Sequence, residues 1–263
     1  GSFIKPSVLG TVAVTTTPET KSLGFAIYYW LVNAGAMIGP TIAYFVRDSF
    51  GNEFVYGVSA ISCLAMLIVN MLLYKEVKGT GPEVVESLGK KITNLFVVLA
   101  NTKFMIFLLI YSLYWIIFWQ EFIIVPYYIT DYIDVNAPYE IIQSWAGAGA
   151  IILLQIPINR LSKNIPTRKA ILLGFAFSSL IWIIIGISPS IPTIAAGIVA
   201  FAIGEMMQAP RYYEYISEIA PAGQQGLFQG YAFLPIAIAR FIGDPLGGWL
   251  YQSSKAAGKP EMV

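Results

Sequence analysis

Seven apolar runs in this chain are each long enough to cross a bilayer: residues 22–46, 54–74, 104–129, 138–161, 169–187, 190–219 and 226–251. A hydrocarbon core of about 30 Å takes about 20 helical residues. Lipid offers no partner for backbone N–H and C=O groups, so a segment of this kind spans as a helix that satisfies them internally. An eighth run, Phe3 to Thr16, is too short to span and reads as the end of a helix begun upstream. The expectation is an all-α, multi-pass transmembrane helical bundle in the cell membrane, in contact with lipid. Composition agrees: 57% of residues are hydrophobic and 12% charged, with a mean hydropathy of +0.67. A soluble domain would be about 25% charged.

The runs fall into two groups. Residues 1–74 hold the partial helix and two spans, and residues 104–251 hold five spans. Between them, residues 75–103 form a charged connection containing Gly79-Thr80-Gly81-Pro82, which interrupts any helix. Within it, Ile92 to Ala100 is apolar enough to lie on the membrane surface or to begin the next helix. Residues 252–263 read as a polar tail. Because the chain opens on Gly1 inside an apolar stretch, it reads as part of a longer polypeptide, and by itself it is expected not to transport.

Basic residues orient the spans. With the loop at Lys21 placed in the cytoplasm, that side collects Lys21, Lys75, Lys78, Lys90, Lys91, Lys103, Arg160, Lys163, Arg168 and Lys169. The opposite side, before the tail, has Arg47 among Asp48, Glu53, Asp131, Asp134 and Glu140. Lys255 and Lys259 in the tail run against this pattern.

Several functions are excluded early. A net charge of +1 is not that of a nucleic-acid binder. The chain has no histidine, which removes the usual zinc sites and the Ser-His-Asp triad, and its one cysteine, Cys63, precludes an internal disulfide. No metal, cofactor or enzymatic activity is expected, and the proton is the natural coupling ion.

Ionisable residues inside the runs carry the functional signal, because a charge at membrane depth costs several kcal/mol and marks a pathway or a pair. They are Lys5, Glu121, Glu205, Arg211, Arg240 and Asp244. Arg240 and Asp244 are four apart on one helical face, and Arg211 and Glu214 three apart, so both pairs read as structural ion pairs. Glu205 has no basic residue three or four positions away. Its partner must come from another helix, from a solute, or be a proton, and Lys5 is the natural opposite charge. Glu121 follows Trp119-Gln120 in mid-span and reads either as a proton site or as a structural hydrogen-bonding group. Gly35 and Gly39, Gly243 and Gly247, and the run Trp145-Ala-Gly-Ala-Gly-Ala150 offer small faces for close helix packing. Prolines at 40, 126, 157, 210, 235 and 245 predict bends.

Four stretches resemble the major facilitator superfamily and, within it, the proton-coupled oligopeptide transporters. Gly1-Ser-Phe-Ile-Lys5-Pro6-Ser7 resembles the fourth-helix segment, and Gly24-Phe-Ala-Ile-Tyr28-Tyr29-Trp-Leu-Val-Asn33-Ala-Gly35 the fifth. Glu205-Met-Met-Gln-Ala-Pro210, with Ala220-Pro221, Gly226 and Gly230 after it, resembles the tenth helix and the segment next to it. Asn159-Arg160-Leu-Ser-Lys163 through Lys169 is similar to the degenerate loop between helices eight and nine. In the seventh helix the carboxylate stands one place beyond the family's Glu-Gln position, at Glu121, and Arg211-Tyr212-Tyr213 replaces a smaller stretch.

The resemblance covers about helices four to eleven of a twelve-helix, two-bundle fold, here truncated. It implies that Lys5 and Glu205 face one cavity from opposite bundles, that Glu205 meets a peptide's amino terminus, and that Asn33 contacts the substrate. Tyr29 and Trp115 would line the cavity, and Glu205 or Glu121 would couple proton movement to transport. The reading is a secondary active transporter working by alternating access around a midplane site, expected to be a proton-coupled symporter of small peptides. The alternative is a facilitator-type carrier of another solute, such as a nucleoside, a sugar or an exported drug. An intramembrane enzyme lacks any recognisable motif, and a non-transporting sensor of carrier ancestry would bind solute without counterflow.

Overall fold

A computed structural model describes residues 4–75, 89, 93, 96, 98–221 and 224–259; at residues 4–6 the description covers the backbone only. The described chain is helical throughout, and seven of its helical segments are long and apolar enough to span a membrane. The helices are α1 (Ile4–Thr15), α2 (Lys21–Phe50), α3 (Asn52–Leu73), α4 (Thr102–Tyr132), α5 (Tyr139–Ser162), α6 (Thr167–Ile187), α7 (Ile191–Ile219), α8 (Gln225–Tyr231) and α9 (Leu234–Ala256). Most of the connection between α3 and α4, including Gly79 to Pro82, lies outside the described residues; of 92–100, residues 93, 96 and 98–100 are described and are helical.

Local signals set the helix ends. Asn101 caps α4 by accepting the Phe104 N–H at 3.2 Å, and Ser190 caps α7 by accepting the Thr193 N–H at 3.4 Å. Gly51, at φ +98°, is all that separates α2 from α3; only glycine takes that conformation without strain, which lets the chain reverse in one residue.

The last apolar run is one span, as its sequence predicts, but not one unbroken helix. It breaks at residues 232–233 into α8 and α9. Pro235 sits in the first turn of α9 instead of bending mid-helix, and its missing N–H makes it suited to a helix start. The Tyr212 hydroxyl from α7 donates to the Ala232 carbonyl at this break (2.8 Å). The expected polar tail is also helical as far as Ala256, because Lys255 reaches back to Asp131 at the end of α4 (2.5 Å).

Packing divides the helices sharply. α6 lies along α7, and α9 along α4. The α6–α7 contact depends on glycine: a Cβ on Gly174 would stand 2.7 Å from the Gly204 carbonyl oxygen and 2.6 Å from Gln208 Cβ. On α9, a Cβ on Gly243 would meet Ile116 Cγ2 at 3.3 Å, and one on Gly247 would collide with Gln120 Oε1, so this glycine pair packs as its spacing predicts. Gly35 and Gly39 do not: nothing approaches either within 4 Å, and Gly39 instead edges an open groove of about 910 Å³ between α2 and α3. α3 has no buried residue and packs chiefly on α2.

The two groups of helices meet along α2 and α5 at three levels. Near one end the Asn159 amide donates to the Ser22 hydroxyl (3.2 Å), in the middle the Trp30 indole donates to the Ile152 carbonyl (2.7 Å), and at the other end Arg47 pairs with Glu140 (2.6 Å). α1 meets α8 closely; a Cβ on Gly10 would lie 3.2 Å from Gly226 Cα.

Candidate functional site

Where α2, α4 and α7 converge, the apolar stripes that pack these helices carry tyrosines, so the contact is aromatic and hydroxyl-bearing. Tyr111 stacks on Tyr212 with ring centroids 3.9 Å apart, and Tyr114 on Phe175 at 4.4 Å. Phe25 and Tyr28 of α2 both meet Tyr213 of α7 at 6.4 Å, one stacked and one edge-on. Buried hydroxyls need partners, and most find them within this wall. Tyr111 donates to Gln208, and Tyr114 and Ser178 share a hydrogen bond of 3.4 Å, with Ser178 donating on to the Phe201 carbonyl at 3.3 Å.

Glu205 sits in this wall, half-buried on α7. Tyr29, buried on α2, has its hydroxyl beside this carboxyl, so the contact crosses from one helix group to the other. Tyr111, Tyr114 and Tyr213 lie within electrostatic reach of the same carboxyl. The position of Glu205 follows from the Gly174–Gly204 contact, which fixes the rotation of α7 against α6 one residue before it. Among the described residues it has no ion pair; the Lys5 side chain, the partner anticipated from sequence, lies outside them.

Glu121 is close enough to Glu205 to feel its charge, yet its surroundings differ. It is 1% exposed. Its Oε1 accepts the Gln143 amide at 3.0 Å, while its Oε2 is buried without a hydrogen-bond partner. The Tyr139 hydroxyl donates to the backbone carbonyl of Glu121 at 2.8 Å.

The other residues singled out in the sequence take more varied places. Trp115 is buried beside Phe118 and stacked on Trp119, with its indole N–H unpartnered. Asn33 is half-buried, and its amide donates to the Tyr29 carbonyl one turn back at 3.0 Å, so that N–H is engaged within its own helix. Arg211 pairs with Glu214 at 2.8 Å, both nearly buried, and also donates to the Ser162 carbonyl at 3.1 Å, which ties α7 to the end of α5. Arg240 pairs with Asp244 at 3.1 Å and places its guanidinium 4.5 Å over the Trp119 ring, a cation–π contact that spacing along one helix does not reveal.

Sequence reasoning also missed Gln143. In the sequence it is one more polar residue at a helix start, and its role depends on backbone geometry. Ser144–Ala148 forms a π-turn inside α5, in which the Gly149 N–H donates to the Ser144 carbonyl five residues back. The small-residue run that begins there is a visible signal, but on its own it speaks only of packing. No cluster of His, Cys, Asp or Glu able to hold a metal occurs among the described residues.

Comparison with known proteins agrees with this architecture. Multidrug resistance protein MdtH of Klebsiella pneumoniae is 24% identical over 265 residues, covering 99% of this chain and 63% of the relative. The protein of the same name from Salmonella arizonae is 23% identical over 263 residues, covering 100% and 63%. The chain therefore spans less than two thirds of the length of these relatives. Neither name points to the peptide branch that the sequence motifs suggested. The profile of the Major Facilitator Superfamily matches residues 1–153 and again 134–256, and the chain belongs to that family of multi-pass membrane transporters.

Proposed function

We propose that the protein is a secondary carrier that moves drug-like, cationic aromatic solutes across the membrane in exchange for protons. The observation that carries this reading is Glu205, a half-buried carboxyl on α7 set among tyrosines and touched across the helix groups by Tyr29. A carboxylate framed by aromatic rings offers a cation both charge and ring faces. The same carboxyl can hold either a proton or the solute, and that competition is the simplest form of exchange. The names of the two relatives support a drug over a nucleoside or a sugar. Tyr29 and Trp115 would line the solute's path, and Lys5 and Asn33 remain proposed contacts.

Alternation would pivot on the α2–α5 contact, which is bonded at both ends and in the middle. The coupling ion is the proton, and no cofactor is invoked. The division into residues 1–74, a linker and residues 104–251 is the proposed unit of movement.

Peptide symport is the second reading, favoured by the motif around Lys5-Pro6 and by the fit of a peptide's amino terminus to Glu205. A substrate panel separates the two. The full protein in liposomes under a proton gradient is given ethidium, a neutral aromatic dye and a labelled dipeptide. Gradient-driven movement of ethidium, lost in Glu205→Gln, is the expected result. Movement of dipeptide without ethidium would return the peptide reading, and movement of neither would reject both.

A further inference from the structure

We propose that Gln143 is a positioning residue for proton transfer at Glu121, brought within reach by the π-turn of α5. The proposal rests on the proton exchange put forward above and assigns part of it to a specific contact.

A carboxylate has about four acceptor sites, and a buried ionised one is stable when several donors fill them. Glu121 has one: the Gln143 N–H on Oε1. Oε2 is sealed from solvent and bare. This arrangement suits a neutral acid, with the proton on Oε2 and the carbonyl oxygen Oε1 held by the amide. Losing that proton creates a charge that a single N–H does not balance, so release to water requires water or another donor to enter. The titratable groups facing Glu121 are Glu205 from α7, Tyr139 from α5 and Tyr114 from its own helix. Among the described residues no Lys or Arg forms an ion pair with it.

The backbone explains why Gln143 can do this. A π-turn holds one residue more than an α-turn, so it rotates the helix beyond it by about 100° relative to the turns before it. Gln143 stands at the junction, and the Ser144 N–H is shared between the Glu140 and Ile141 carbonyls. Gly147 leaves the room: a Cβ there would stand 3.3 Å from Gln143 Nε2. The turn also touches both α2 and α7. Movement of either helix therefore acts on the residue that holds the Glu121 carboxyl, which links solute occupancy at Glu205 to the proton at Glu121.

The test uses the full protein in liposomes with ethidium as probe. Two rates are measured: transport driven by a proton gradient, and ethidium exchange at equal pH, which needs no net proton movement. Gln143→Leu is expected to slow the first about tenfold, the cost of one hydrogen bond to a buried acid, and to leave the second at its wild-type rate. Gln143→Glu, a donor only when protonated, is expected to recover gradient-driven transport at acid pH and not at alkaline pH. A Leu variant with unchanged gradient-driven transport would overturn the proposal. So would equal loss of both rates, the mark of a purely structural residue. A wild type that exchanges ethidium but ignores the gradient would remove the proton exchange itself, and this assignment with it.

Discussion

Glu121 and Glu205 are the same side chain at membrane depth, within reach of one another, in two different settings. Glu205 is half-buried and faces a tyrosine from the opposite helix group. Glu121 is sealed, held by one amide, and has an oxygen with no partner. The contrast teaches that depth in the membrane does not by itself assign a role. What each carboxyl can exchange with its surroundings does, and on this reading Glu205 takes the solute in competition with a proton while Glu121 holds a proton alone.

The contrast can be broken or sharpened by substitutions that touch one setting at a time. The largest effect is expected from Gly204→Val. A side chain there has no room against Gly174 and Ser178, so α7 must shift, and Glu205 with it. Overpacking of this kind costs about 1–3 kcal/mol or more. A thermal melt in detergent should fall by several degrees and solute affinity should drop, whereas an unchanged melt would mean that the α6–α7 contact is looser than described.

Tyr29→Phe removes only the hydroxyl beside Glu205. Ethidium affinity is expected to change by about fivefold, the scale of one hydrogen bond of ~1 kcal/mol, with the ratio of protons moved per solute unchanged. Tyr139→Phe is the matching change on the other side, since it deletes the donor to the Glu121 backbone carbonyl. It should alter the gradient-driven rate about threefold, a fraction of one hydrogen bond, and leave ethidium affinity alone. If the two variants act on the same quantity, the two settings are not distinct. Arg47→Ala touches neither. Its pair with Glu140 is exposed on both sides, so stability in a detergent melt should move by less than about 1 kcal/mol. A large loss would make that pair a lock between the helix groups.

The fold was legible in the sequence because lipid enforces it. Run length and the need for internal backbone bonding fix helix number, and the seven spans expected match the seven helical segments among the described residues that are long and apolar enough to cross a membrane. The break before α9 was not legible, because a proline reads alike whether it bends a helix or starts one. Glycine spacing was only half informative: Gly243 and Gly247 pack, while Gly35 and Gly39 face open space. Gly174 and Gly204, which let two backbones meet, come from different helices and share no pattern along the chain. At the site, the buried carboxylates were visible as expensive residues. The tyrosines around Glu205 were visible only as aromatics, and the Gln143–Glu121 contact was hidden because a π-turn has no sequence signature beyond small residues.

The most direct measurement is equilibrium binding of ethidium to the full protein and to Glu205→Gln and Glu121→Gln, with proton release recorded in the same titration. Glu205→Gln is expected to weaken binding about a hundredfold, the scale seen when one partner of a buried charge contact is removed. Glu121→Gln is expected to bind ethidium as wild type does but to release fewer protons. Equal loss of binding in both variants, or a Glu205→Gln protein that still binds tightly, would contradict the assignment of the solute to Glu205.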